Sequence, residues 1–444
     1  MGWFEKYFEF ERYGTDMKTE VLAGVTTFMT MAYILFVNPS ILSNAMGKEA
    51  FNSLVAVTAL AAGISTIIMA LYARKPFALA PGMGLNGYFT YSVVLGMGYD
   101  WRVALAAVFV EGVIFILLSV TRVRSAVIHA IPLSQKYAVG AGIGLFLTFI
   151  GLNDVELINA ATDKGVLLFT ELNAHALISK PGLLFLFGLL FAAILIAHRI
   201  KGALLISILT TAVLGWVTGV APWPSHLFST PDISYTFLQL DFKGLLNIGA
   251  LGVIFAFFMV DFFDTLGTVT GLSAKAGYLT KDGKVPDAEK VLLTDAIGTT
   301  LGALLGTSTV TTYIESAAGI EEGGRTGMTA LVTGLLFLGI GLFIAPLAGA
   351  IPSFATAPAL VIVGYYMMST IKELDFSDPA EAIPAFLVIM SIPLTYSISV
   401  GIGLGFVSYA VIKAFKGEWR DVHPLMWVLA VIFALYFAYL GGAF

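Results

Sequence analysis

The sequence predicts an all-α polytopic membrane protein. About fourteen transmembrane helices would form two inverted seven-helix repeats, with short strands inside broken helices three and ten. Three observations predict this. First, the 444 residues are 58% hydrophobic and only 12% charged, with mean hydropathy +0.89. A soluble domain needs roughly twice that charged fraction to cover its surface, so lipid must do the covering. Second, apolar runs of membrane length follow one another with short loops between them. Third, runs seven apart share local features, and seven crossings reverse direction, so a repeat of that period is inverted.

Hydropathy overrides the two or three soluble domains that length alone would suggest. The net charge of −5 says little, because loop asymmetry matters in a membrane and total charge does not. With no cysteine, disulfides, thiolate metal sites and thiol catalysis are excluded. No cofactor and no metal are expected.

Residues 1–20 alternate Glu5, Lys6, Glu9, Glu11 and Arg12 with Trp3, Phe4, Tyr7, Phe8 and Phe10, which suits an interfacial segment. Apolar runs then fall at 21–39, 53–73, 77–96, 103–120, 133–150, 182–197 and 203–220, giving a first repeat over 21–220. A second repeat over 246–415 holds runs at 246–268, 290–305, 308–322, 327–345, 351–371, 380–396 and 399–414. A further run at 424–442 follows a charged break and is an additional C-terminal hydrophobic segment. With the N-terminus in the cytoplasm and one crossing per run, nineteen lysines and arginines face inside, among them Arg122, Arg124, Lys281 and Lys284. Five remain outside: Lys48, Arg102, Lys164, Lys180 and Lys243. That asymmetry is the positive-inside bias. Ile131-Pro132 opens run five and Ile351-Pro352 opens run twelve, while runs three and ten are both short and interrupted by small residues.

Run three, from Lys75 to Gly87, holds Pro76, Pro81, Gly82, Gly84 and Gly87, which disfavour a continuous helix. Run ten holds the β-branched stretch Thr309 to Thr312, which favours a strand, with a half-helix expected near Glu315. Bare backbone at membrane depth is tolerated only inside protein or beside a cavity. Extended stretches near 78–81 and 308–312 would therefore meet near the midplane, each leading into a half-helix whose positive N-terminus faces a ligand. Paired broken segments in inverted halves are the sequence mark of a transporter's central site.

Run eight carries Asp261 and Asp264, at i and i+3, on a face with Thr265 and Thr268. Each aspartate at membrane depth costs about 2.5–3.5 kcal/mol on insertion scales. Two together repel unless one is protonated or both have partners. Glu315 lies within the second broken segment and Asn86 matches it in the first half. Glu111 in run four has no symmetric counterpart and reads equally well as a structural hydrogen bond to a neighbouring helix.

This set suits a neutral flat heterocycle such as a purine. Carboxylates accept from adjacent ring N–H groups, an amide serves mixed edges, and Phe77, Phe258, Phe262 or Phe263 could stack on the ring. No lysine or arginine lies in the apolar spans 77–96, 246–268 or 308–322, which argues against an anionic substrate. Asp261, Asp264 and Glu315 are also too many negative charges for one low-dielectric pocket without a cation. A proton on at least one of them is the cheapest relief, and Glu315, then Asp264 and Asp261, are the candidate coupling acids.

At these residues the sequence resembles the nucleobase/ascorbate transporter superfamily, in particular its azaguanine-resistance branch of adenine, guanine and hypoxanthine permeases. The motifs are Ala80-Pro81-Gly82-Met83-Gly84-Leu85-Asn86, Phe262-Phe263-Asp264-Thr265-Leu266-Gly267-Thr268 and Thr312-Tyr313-Ile314-Glu315-Ser316-Ala317, with Glu20 to Phe28 also typical. The resemblance covers essentially the whole chain. It implies fourteen helices in two inverted repeats, with a core domain over 21–120 and 246–345 and a gate domain over 133–220 and 351–415. It implies proton-coupled uptake of purine nucleobases across the cell membrane. Asn86, Asp261, Asp264 and Glu315 would bind the base, with Thr265 and Ser316 as neighbours.

Other readings are weaker. A membrane-embedded prenyltransferase using Asp261 and Asp264 to hold Mg²⁺ would need a second acidic cluster and basic residues for a diphosphate. An anion exchanger or channel is disfavoured by unpaired buried acids. The same fold carrying uracil or xanthine is the nearer alternative. No basic patch supports nucleic-acid binding. Expected partners are a purine base, a proton and the lipid bilayer; a homodimer is compatible with the sequence.

Overall fold

A computed structural model describes residues 2–121, 130–163, 166–246, 248–280 and 285–440. Arg122, Arg124, Lys164, Lys281 and Lys284, used in the topology count, lie outside the described residues. The chain opens with two short helices, Trp3–Tyr7 and Phe10–Tyr13. Phe8 and Phe10 are buried against the protein, while Trp3 is 67% exposed.

The first half comprises α1 (Met17–Met31), α2 (Ile34–Met46), α3 (Phe51–Ile68), the strand β1 (Leu79–Pro81), α4 (Met83–Gly87), α5 (Trp101–Ser119) and α6 (Leu133–Asp154). A strand pair, β2 (Ile158–Asp163) and β3 (Val166–Leu172), precedes α7 (Lys180–Ala197) and α8 (Ala203–Val217). The second half comprises α9 (Ile248–Lys275), α10 (Ala288–Leu305), β4 (Val310–Thr312), α11 (Ser316–Glu321), α12 (Gly327–Gly339), α13 (Ser353–Met368), α14 (Pro379–Thr395) and α15 (Ile398–Phe415). The last helix is α16 (Pro424–Leu440). Among the described residues, eight helical segments are long and apolar enough to cross a membrane, and four shorter apolar ones accompany them. Segments α1 and α2 act as one, broken at Ala32 and Tyr33.

The contacts repeat with inverted order. Helix α12 packs on α3 as α5 packs on α10, pairing segment eleven with two and four with nine. Likewise α7 and α8 pack on α13 as α14 and α15 pack on α6, and α6 packs on α13 itself. The chain is thus a polytopic helical protein of two inverted seven-helix repeats, as the spacing predicts. Both broken segments contain the expected strand followed by a short helix. At the α6–α13 crossing, a side chain on Gly144 would run into the Gly364 carbonyl oxygen, and one on Gly364 into that of Gly144. Small residues bring the two backbones together there, which is how helices associate where lipid supplies no hydrophobic drive.

Two features go beyond the sequence reading. The stretch between runs five and six carries the antiparallel β2–β3 hairpin, which the apolar runs do not indicate. The extra run, 424–442 in sequence, forms α16 beside α15 and α9, with Phe433 near Gly403 and Tyr436 against Gly252. Elsewhere the buried Glu20 caps α12. Its carboxylate accepts from the Arg325, Thr326 and Thr329 N–H groups at 2.9, 3.3 and 3.2 Å and from the Thr329 hydroxyl at 2.6 Å. A carboxylate at the orphan N–H groups of a helix N-terminus is electrostatically favoured, which accounts for its burial.

Candidate functional site

The two broken segments meet as an antiparallel strand pair, with Leu79 opposite Thr312, Ala80 opposite Thr311 and Pro81 opposite Val310. Side chains complete what so short a ladder leaves open. The Thr66 hydroxyl lies 2.9 Å from Leu79 N, which donates to it, and itself donates to the Leu79 carbonyl at 3.1 Å. The Ala78 N–H donates to Ser316 Oγ at 2.9 Å, and the Tyr313 hydroxyl to the Pro81 carbonyl at 2.5 Å. Buried backbone polar groups need such partners, so this non-helical stretch survives inside the fold.

Helix α4 holds Asn86 fully buried, with its Oδ1 accepting from the Ser308 hydroxyl. Its Nδ2 has no hydrogen-bond partner. This links segment three to segment ten by side chains as well as by strands. Glu315 stands immediately before α11, partly exposed, and its Oε1 accepts from the buried Tyr33 hydroxyl at 2.6 Å. Tyr33 occupies the break between α1 and α2, where the chain turns its side chain toward segment ten. Asp264, on α9 and also partly exposed, lies within electrostatic reach of Glu315.

The expectation that Asp261 and Asp264 share one working face is corrected by their surroundings. Asp261 is fully buried and turns toward α5 and α10, where the Thr299 hydroxyl donates to its Oδ2 at 3.1 Å. Its carboxyl lies against that of Glu111. Thr265 is likewise turned inward and donates to Asp295 Oδ2 at 2.8 Å. Thr312 on β4 donates to the other oxygen of Asp295 at 2.7 Å. Positions three apart on a helix differ by about 60° in azimuth, enough to put one acid toward the protein and the other toward the strand crossing.

Three of the four candidate stacking rings are occupied by packing. Phe262 stacks on Phe258 at 5.4 Å and meets Phe115 edge-on at 5.4 Å, and Phe77 is fully buried near Tyr278. Phe263 is partly exposed and carries the Lys136 ammonium over its ring at 4.9 Å.

Sequence reasoning does not reach Tyr33, Thr299 or Asp295. For Asp295 a signal exists, since an acid inside an apolar run is what singles out Asp261. Tyr33 and Thr299 carry none, because hydroxyls are common in these helices and only the fold shows which ones meet a carboxylate.

Comparison with known proteins places this geometry. The family described as the Permease family matches residues 18–404. A guanine/hypoxanthine permease of Bacillus subtilis is 43% identical over 98% of this chain and 99% of its own. An adenine permease of Escherichia coli is 40% identical over 98% of this chain and 96% of its own. Among solved structures, the transmembrane domain of a cyanobacterial bicarbonate transporter superposes with a TM-score of 0.65 at 16% identity, covering 88% of this chain and 97% of that one. That likeness concerns the fold alone.

Proposed function

The chain belongs to the permease family, and from that premise we propose that it is a secondary active transporter taking up purine nucleobases together with protons. The observation that carries this reading is the pairing of Asp264 and Glu315, both partly exposed, beside the crossing of two broken segments. The purine permeases among the relatives support the substrate class. A purine presents N–H groups and ring acceptors around its edge. Carboxylates at Asp264 and Glu315 accept from the former, and the unpaired Nδ2 of Asn86 donates to the latter.

Asp261, Thr265 and Ser316 act from behind this surface. Ser316 holds the strand that leads to Glu315, and Thr265 and Asp261 tie α9 to α10. Transport proceeds by alternating access. Residues 21–120 and 246–345 form the core that carries the base, and residues 133–220 and 351–415 form the gate, with the N-terminus in the cytoplasm. The close Gly144–Gly364 crossing supports a gate that moves as one piece.

A thermal-shift panel of nucleobases and nucleosides against the purified protein tests the substrate class. Stabilisation by hypoxanthine, guanine or adenine, and not by their nucleosides, is expected. Stabilisation by uracil alone would refute it.

A further inference from the structure

Behind the substrate-facing acids lies a second carboxyl pair. Glu111 on α5 and Asp261 on α9 are both 0% exposed. Helices α5 and α9 pack on each other, and the two carboxyls interact directly across that contact. Yet both oxygens of Glu111 and Oδ1 of Asp261 have no donor. An ionised carboxylate only accepts, so two of them facing each other can form no hydrogen bond, and their charges repel. A buried polar atom without a partner is destabilising, and more so if it is charged. One proton placed between the two relieves both problems at once. It makes one carboxyl a donor and halves the charge.

We propose that Glu111 and Asp261 hold a single shared proton, forming a proton-binding site separate from the substrate-facing acids and linked to them through Thr299 and β4. The link is a competition for one hydrogen. Thr299 Oγ lies 3.1 Å from Asp261 Oδ2 and 2.9 Å from the Val310 carbonyl, and its single hydrogen can serve only one of them fully. Loss of the shared proton draws that hydrogen to Asp261 and releases Val310, the first residue of the strand that leads to Glu315.

Among the described residues, the other charged and titratable groups on the elements packed around the pair have their own partners or lie apart from it. On α10, Asp295 is the third carboxyl acting on it and is held by Thr265 and Thr312. Further along α9, Asp264 faces Glu315. On α6, Lys136 sits over the Phe263 ring. On α15, Lys413 is taken by Glu381 and Glu418 at 3.2 and 2.9 Å. Tyr88 packs on Phe257 at 4.9 Å, and Tyr436 of α16 lies by Gly252. Lys243, in the turn Lys243–Leu245 beside α5, is exposed.

The coupling role of this pair rests on the proton-driven reading above; its existence does not, and two measurements separate them. Infrared difference spectra of wild type minus variant, recorded in lipid at neutral pH without substrate, report protonated carboxylic acids. Wild type minus Glu111→Gln and wild type minus Asp261→Asn should each show one protonated-acid carbonyl component. Each variant should keep near wild-type thermal stability, because its amide replaces the shared proton as donor. A difference spectrum without that component, or sodium-dependent stabilisation of the wild type that Glu111→Gln loses, overturns the pair as a proton site. In proteoliposomes, Glu111→Gln should lose gradient-driven base accumulation, falling to the level seen with an uncoupler, while base exchange continues. Accumulation by Glu111→Gln equal to wild type overturns the coupling role. If the wild type itself fails to accumulate base on a proton gradient, the proton-driven reading falls, and the infrared result still decides the pair.

Discussion

The Tyr33 hydroxyl donates to Glu315 Oε1 at 2.6 Å across 282 residues of chain, joining the break in the first membrane segment to the break in the tenth. Tyr33 is fully buried, so water cannot replace it. The bond orients the carboxylate that we propose meets the base. It also binds the two halves of the core together at the level of the strand crossing.

Tyr33→Phe keeps the ring and removes the donor. A hydrogen bond to a charged group is worth about 1.5–3 kcal/mol, so base affinity should fall roughly tenfold to a hundredfold if Glu315 loses its orientation. Expression and thermal stability should change little, because the ring still fills its place. Equilibrium binding of labelled hypoxanthine measures this. An unchanged affinity would show that Glu315 is positioned by its backbone alone.

The crossing of α6 and α13 gives a second expectation. Gly144→Ala and Gly364→Ala each place a methyl group against backbone, which cannot move aside as a flexible side chain can. Both should lower the melting temperature in detergent and slow uptake. Gly140→Ala, on α6, meets the Thr370 side chain, nearest at 3.3 Å, and should be mild by comparison. Thermal melts of the three variants side by side rank them.

Glu20 should matter for stability and not for recognition. Glu20→Ala removes the acceptor of the Arg325, Thr326 and Thr329 N–H groups at the entry to α12, a loss of about 1–3 kcal/mol for a buried group. The melting temperature should drop clearly, with base affinity of the surviving folded protein unchanged. A parallel loss of affinity would mean that the cap also sets the position of segment ten.

The sequence makes the broken segments readable for a local reason. Pro76, Pro81 and Gly82 exclude a helix whatever surrounds them, and Thr309 to Thr312 favour a strand on their own, so β1 and β4 emerge within two residues of their expected places. The position of Glu315 follows from the second of these segments. The azimuth of Asp261 does not. A spacing of three leaves about 60° free, and which neighbour takes each acid is decided by α5 and α10, over a hundred residues apart in the chain. Tyr33 and Thr299 stayed hidden for the same reason, since their roles exist only between segments distant in sequence. The β2–β3 hairpin had no alternating pattern strong enough to set it apart from an external loop.

The last prediction concerns coupling at the substrate itself. Glu315 and Asp264 lie within electrostatic reach of each other, with Asp261, Glu111 and Asp295 buried behind them. So many carboxyls close together favour protonation of at least one of them, and a proton taken up with the base on one side and released on the other is what a gradient can drive. Glu315→Gln keeps the size and hydrogen-bonding capacity of the side chain, and its amide oxygen still accepts from Tyr33, but it cannot titrate. Gradient-driven accumulation of labelled hypoxanthine or adenine in proteoliposomes should therefore be abolished, while some equilibrium binding and exchange remain, with a flattened pH dependence. Asp261→Asn should act differently, altering the support of α9 more than the surface that meets the base. If Glu315→Gln still concentrates substrate in an uncoupler-sensitive way, Glu315 is not the coupling acid and Asp264 becomes the next to test. Accumulation that ignored pH and followed a sodium gradient would overturn proton coupling for this chain altogether.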